Sequence, residues 1–381
     1  MEFSLTADQI MIRDAAEGFL ADVSDSAAVR KAMASERGYE ESIWKRIGGE
    51  LGWCGIAIPE EDGGLGLGPV ELVLVQEQIG RRLLCAPFFS TVCLAATVIQ
   101  EVGSDDAKAD VLPKIADGSL RASLSLPSAV NAWTAAATNV RATFESGHWR
   151  VQGVAERLPS AADADVLFVF AQTADGLGLF AIPSDTNGFQ TLTAEAWDAT
   201  RRFSRVLLDV TLPVTARVDD SQRREGFRKS LALARLYIAA EQLGAAQQCL
   251  DLTVAYTTTR KQFGRVVGGF QAVKHRCAEM MVKIEALRSG VYGAAALAAG
   301  DADAQTLALE CAMAKALASD TLFFCAAEAI QLHGGVGFTW EYDPQLYFKR
   351  AQASSHWLGE GDALREFIAS ALLDPSPALG A

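Results

Sequence analysis

Histidine is scarce in this sequence, with only His148, His275, His333 and His356 among 381 residues. They are scattered, and none stands in an H-E-x-x-H spacing, so the sequence predicts no catalytic metal. A G-x-S-x-G elbow, a Walker A loop and a strand-to-helix G-x-G-x-x-G turn are also missing, which removes the common serine-hydrolase and nucleotide cradles. Basic residues are outnumbered, 34 Lys and Arg against 47 Asp and Glu, for a formal charge of −13. Such a chain repels phosphate backbones and anionic headgroups, so neither nucleic acid nor a membrane is an expected partner. No run of about 18 uncharged apolar residues occurs. Seven cysteines lie far apart without a C-x-x-C, as buried thiols of a reducing compartment do. The segment MEFSLTADQIMIRDAAEGF has no basic region followed by an apolar run, and the expected location is cytoplasmic.

Half the residues are hydrophobic and 8% are aromatic, a mix that folds, and at roughly 150 residues per domain the length predicts two or three domains. Apolar residues keep helical spacing from Thr6 to about Leu20, with Thr6 and Gln9 placed as a capping box. Similar patterns run over 26–35, 40–51, 70–83, 87–102 and 105–117, interrupted by the Gly/Pro loop 58–68. Between 119 and 222 the texture changes to short alternating or β-branched runs at 122–126, 139–144, 148–153, 166–172, 177–182 and 204–212. Long helical patterns return at 226–257, 267–299, 303–331 and 362–373. The expectation is an α+β chain: a helical domain over 1–118, a β domain over 119–222 and a second helical domain over 223–381. Segregated strands argue against a doubly wound dinucleotide fold.

Two segments carry polar chemistry at helix ends. Arg260-Lys-Gln-Phe-Gly264 followed by Gly268-Gly-Phe-Gln271 joins cations and amides at a helix junction, and Gln331-Leu-His-Gly-Gly-Val-Gly-Phe-Thr339 places glycines after a long helix. Either alone reads equally well as a capped helix end. Together, R-x-Q-F-G with a following F-Q, and Q-x-H-G-G-x-G-F-T some seventy residues later, resemble the FAD-dependent acyl-CoA dehydrogenase family. The segment GWCGIAIPEEDGGLG at 52–66 resembles that family's N-terminal signature, so the resemblance covers nearly the whole chain.

The resemblance implies a helical domain, a β-barrel-like domain and a four-helix bundle, in a dimer of dimers with FAD extended between subunits. It implies α,β-dehydrogenation of an acyl-CoA thioester to the trans-2-enoyl-CoA in fatty-acid or steroid side-chain β-oxidation, with electrons passed to an electron-transfer flavoprotein. Arg260, Gln262, Phe263 and Gln271 take the positions that meet the adenosine diphosphate part of FAD, and Gln331, Gly334 and Gly335 match a second contact. A guanidinium and open backbone N–H groups suit an anionic diphosphate. Arg235 matches an arginine near the CoA chain.

The proton acceptor is harder to place. One family position for the base is occupied here by Leu358 before Gly359, the other by Ala234. What remains is Glu241, a lone carboxylate in the apolar run 231–246, on the same helix face as Ala234 and beside small residues Ala240, Gly244 and Ala245. The sequence therefore predicts Glu241 as base, unpaired beside a cavity and raised in pKa by burial, as the A-A-E-x-x-G pattern of a bacterial subset of the family also implies; Glu360 and Asp362 are the alternatives. The flavin-ring motifs of the β domain are eroded: only Ser125 retains a hydroxyl at its place, with Asn131 as a second candidate, and the later segment reads Arg157-Leu-Pro159. Three readings stay open: a homo-oligomer holding the ring through its backbone, one subunit of a heteromeric dehydrogenase that gives the base and the adenosine contacts while a different chain gives the flavin-ring pocket, or a non-catalytic structural subunit.

Overall fold

The computed structural model describes residues 4–126, 135–223 and 225–373. The first stretch is helical: α1 (Ala7–Val23), α2 (Ser26–Ala34), α3 (Glu41–Lys45), α4 (Pro69–Arg81), α5 (Thr97–Val102) and α6 (Asp105–Ala116), with π-helical turns at Arg46–Glu50 and Phe89–Ala96. The capping box forms reciprocally. The Gln9 backbone N–H donates to Thr6 Oγ1 at 3.2 Å, and the Thr6 N–H to Gln9 Oε1 at 3.0 Å.

Seven strands follow: β1 (Ala122–Leu124), β2 (Val140–Glu145), β3 (His148–Pro159), β4 (Val166–Thr173), β5 (Gly176–Pro183), β6 (Phe189–Ala194) and β7 (Phe203–Pro213). They form one sheet in the order β1-β4-β2-β3-β7-β6, with β5 paired to β4. β1 runs parallel to β4, while β3 and β7 pair antiparallel with an irregularity between Ala155 and Leu158. Alternation along β7 sends Val206, Leu208, Val210 and Leu212 into a core shared with Val151, Leu167, Val169 and Phe180. β6 escapes the sequence reading because its residues are mostly exposed, which leaves no apolar stripe to count.

The last part comprises α7 (Gly226–Thr259), a hairpin of β8 (Lys261–Gln262) and β9 (Arg265–Val266), α8 (Gln271–Ala298), α9 (Ala304–His333), α10 (Pro344–Ser355) and α11 (Gly361–Leu373). α9 packs against α8, α10 and α11. α10 has no counterpart in the sequence reading, because its buried face mixes Leu346, Tyr347 and Ala351 with Gln345, Arg350 and Ser354. A helix that buries polar residues shows no hydrophobic period.

The chain divides into two compact units. One gathers Gly18–Leu72 and Leu84–Ala234, with the sheet and most of the early helices; the other gathers the described parts of Met1–Glu17, Val73–Leu83 and Arg235–Ala381. The boundary falls within α7, after Ala234.

Candidate active site

Glu241 sits in the second unit on α7, 1% exposed. It is not unpaired. Its Oε1 accepts from Arg350 Nη1 at 2.7 Å and its Oε2 from Gln76 Nε2 at 2.9 Å. Gln76 is fully buried and the Arg350 side chain is 2% exposed. The small residues around Glu241 also have another purpose than a cavity. A Cβ on Gly244 would stand 1.7 Å from the Glu77 carbonyl oxygen, and one on Gly80 2.0 Å from that of Glu241, so the two glycines let α4 and α7 cross backbone to backbone. Ala240 and Ala245 are completely buried. The expectation of an unpaired carboxylate is corrected, and at Gly244 the expected room is taken by the α4 backbone.

The other carboxyl candidates lie outward. Glu360 is two-thirds exposed and faces His356 Nδ1 at 3.2 Å, while Asp362 is fully exposed and accepts from Arg365 at 2.8 Å. Leu358 and Ala234, at the two base positions, are buried. Arg235 does not reach solvent: it is 1% exposed and donates from Nε to the Leu358 carbonyl at 2.9 Å, and burial lowers its pKa to about 10. Lys315 on α9, which sequence reasoning passed over, is wholly buried and donates to Ser319 Oγ at 2.6 Å and to the Ser354 carbonyl at 3.1 Å. Desolvation, assisted by the charge of Arg235, pulls its pKa down to about 7.

The two motifs at the helix ends do come together. Tyr256, on the last turn of α7 and four residues before Arg260, stacks on His333 of the Q-L-H-G-G segment with ring centroids 4.4 Å apart and planes at 20°. Arg260, Gln262, Phe263, Gln271, Gln331, Gly334 and Gly335 are all exposed. The hairpin turns through Phe263 at φ +53° and Gly264 at φ +78°, a pair of left-handed residues as in a type I′ turn. Phe263, 90% exposed, thus holds a conformation costly for a bulky residue. Gly334 takes φ +66° and ψ −149°, which only glycine adopts readily, and the space above Gly264, Gly334 and Gly335 is open. Arg260, Lys261 and Arg265 form no ion pair among the described residues, although the chain carries −13; Arg265 lies over the Phe270 ring at 3.9 Å. Unpaired cations beside open glycine backbone fit a diphosphate.

In the sheet unit, Ser125 and Arg157 line one cavity of about 250 Å³ together with Thr138, Asn139 and Glu156. Ser125 Oγ accepts from the Phe170 N–H at 2.9 Å, which leaves its own proton to donate. The volume falls below the roughly 300–1,000 Å³ of a complete ligand pocket. Asn131 lies outside the described residues. Among the described residues no group of three or more His, Cys, Asp or Glu side chains is placed to hold a metal, and no helix is long and apolar enough to cross a membrane.

Comparison with known proteins agrees with this architecture. Residues 6–119 match the N-terminal domain model of acyl-CoA dehydrogenases and residues 225–373 the C-terminal domain model. Acyl-CoA dehydrogenase IpdE2 of Mycobacterium tuberculosis is 34% identical over 348 residues, 91% of this chain and 92% of its own. Among solved structures, the Tcur3481-Tcur3483 steroid ACAD G363A variant superposes with a TM-score of 0.85 at 28% identity, covering 97% of this chain and 99% of that one. A glutaryl-CoA dehydrogenase of Mycobacterium smegmatis in complex with FADH2 shares the fold, with a TM-score of 0.87 at 23% identity over 97% and 95% of the two chains. The protein is therefore an oxidoreductase of the acyl-CoA dehydrogenase class. The chain belongs to the acyl-CoA dehydrogenase family, whose members use FAD.

Proposed function

We propose that this chain is one subunit of a heteromeric, FAD-dependent acyl-CoA dehydrogenase that converts an acyl-CoA thioester to the trans-2-enoyl-CoA and passes electrons to an electron-transfer flavoprotein. In this reading it supplies the adenosine-side contacts, and a second acyl-CoA dehydrogenase-like subunit supplies the proton acceptor and completes the flavin-ring pocket. FAD, when bound, supplies the acceptor for the β-hydride. Arg260, with the open backbone at Gly334 and Gly335, holds the diphosphate, and Gln262, Phe263, Gln271 and Gln331 surround the adenosine.

The observation that carries the proposal is the engagement of Glu241. A base must approach the α-carbon within hydrogen-bond reach. A carboxylate with 1% exposure and both oxygens held by Arg350 and Gln76 is engaged in structure, which favours a base carried by the second subunit. This differs from the sequence expectation that the present chain brings the base. The relative named by two components, Tcur3481-Tcur3483, supports a paired enzyme, and its steroid designation favours a bulky acyl group.

The test is co-expression with acyl-CoA dehydrogenase-like chains from the same genome, read by native mass and flavin content. The expected result is a mixed oligomer that is yellow, and Arg260→Ala in this chain lowers its bound flavin at least tenfold. A stable homo-oligomer with one FAD per chain would contradict the proposal.

A further inference from the structure

The two nucleotide-facing segments are 70 residues apart, yet each begins at one ring of the Tyr256–His333 stack: Tyr256 leads into Arg260, and His333 into Gly334. A third ring closes the group. Tyr342, which ends the 334–341 turn, meets Tyr256 edge-on at 6.0 Å and His333 at 6.2 Å. The glycine turn is therefore gripped at both ends by rings that also hold the base of the hairpin. The grip is oriented as well as packed. His333 is 5% exposed and its Nδ1 lies 2.6 Å from the Ala329 carbonyl, which can only accept, so Nδ1 donates and fixes the ring, while burial lowers its pKa. The hairpin base is closed by the Val267 N–H to the Arg260 carbonyl at 2.7 Å, and the Arg260 N–H donates to the Tyr256 carbonyl at 2.9 Å, so the arginine backbone follows the tyrosine.

We infer that Tyr256, His333 and Tyr342 form an aromatic clasp whose work is to hold Arg260 and the Gly334–Gly335 backbone in mutual register for one diphosphate. The inference rests on the proposed FAD contacts and deepens them: these three are positioning residues, not contacts. Two anion-binding segments on separate loops bind tightly only when their spacing is fixed before the ligand arrives. The glycines that open the backbone to a ligand also make the turn flexible, and the clasp compensates for that.

The experiment is FAD titration of the full chain, with whatever subunit co-purifies, for wild type, Tyr256→Phe and Tyr256→Leu, alongside thermal unfolding. Tyr256→Phe keeps a stacking ring and binds FAD as wild type does. Tyr256→Leu loses stacking and weakens FAD by about tenfold, with a melting temperature close to wild type. If Tyr256→Leu does not fold, Tyr342→Leu, which removes only the edge-on ring, takes its place with the same expectation. FAD affinity within twofold of wild type in a folded leucine variant overturns the clasp and leaves the FAD reading standing. A wild-type preparation that binds no FAD overturns both.

Discussion

Glu241 and Lys315 show how the same sequence signal, one charged residue in an apolar helix, resolves in two ways. For Glu241 the partners come from distant sequence: Gln76 in the polar triplet Gln76-Glu77-Gln78 that follows the apolar run 72–75 of α4, and Arg350. That triplet is a legible sign of a buried polar site, since three consecutive polar residues must place at least one on the buried side of a helix. Breaking the pair from one side leaves Arg350 charged and buried, so Glu241→Gln is expected to cost about 3–5 kcal/mol in urea unfolding, and Glu241→Met combined with Arg350→Met to recover most of it. A full-stability, inactive Glu241→Gln enzyme would instead fit a base. Among the described residues Lys315 is held by Ser319 and the Ser354 carbonyl and by no carboxylate. Its pKa falls from 10.5 to about 7 on folding, so between those values the unfolded chain binds more protons and stability rises with pH. Lys315→Met removes that slope. Its stability relative to wild type is expected to be roughly 2–4 kcal/mol more favourable at pH 6 than at pH 10, measured by unfolding at both.

At the scale of elements, what the sequence reveals depends on whether a buried face is apolar. α7, α8 and α9 are read nearly end to end because their apolar residues are dense, and the Thr6–Gln9 box marks the start of α1. α10 and β6 are invisible for opposite reasons, one burying polar groups and the other burying little. Losing α10 loses Arg350, which is why the sequence makes Glu241 look solitary. The small residues near Glu241 mislead in the same manner: spacing shows that Gly244 is small, and only the fold shows that the backbone of α4 occupies the room. The hairpin is the reverse case, since its motif is legible but its conformation is not. Phe263 occupies a left-handed turn position with its ring 90% exposed. Phe263→Gly is expected to stabilise the isolated fold by about 1 kcal/mol through relief of that backbone while lowering flavin retention severalfold. Thermal melts and flavin content of the same preparation check both halves, and a glycine variant that keeps its flavin would remove Phe263 from the site.

For the whole molecule, the α+β order, the segregated sheet and the family were all legible, because texture changes and three ordered motifs survive in a single sequence. The engagement of Glu241 was not, since it depends on contacts between residues far apart in the chain. The picture that results is a chain with a cation-rich, open-backbone hairpin, a small cavity at Ser125 and Arg157, and a candidate base, Glu241, tied into an ion pair. The most direct test is anaerobic addition of acyl-CoA esters, including steroid side-chain thioesters, to this chain alone supplemented with FAD and to its complex with a second dehydrogenase-like subunit, followed at the flavin absorption band. The account predicts bleaching only in the complex; bleaching by the chain alone would show that it carries its own base and would contradict the assignment.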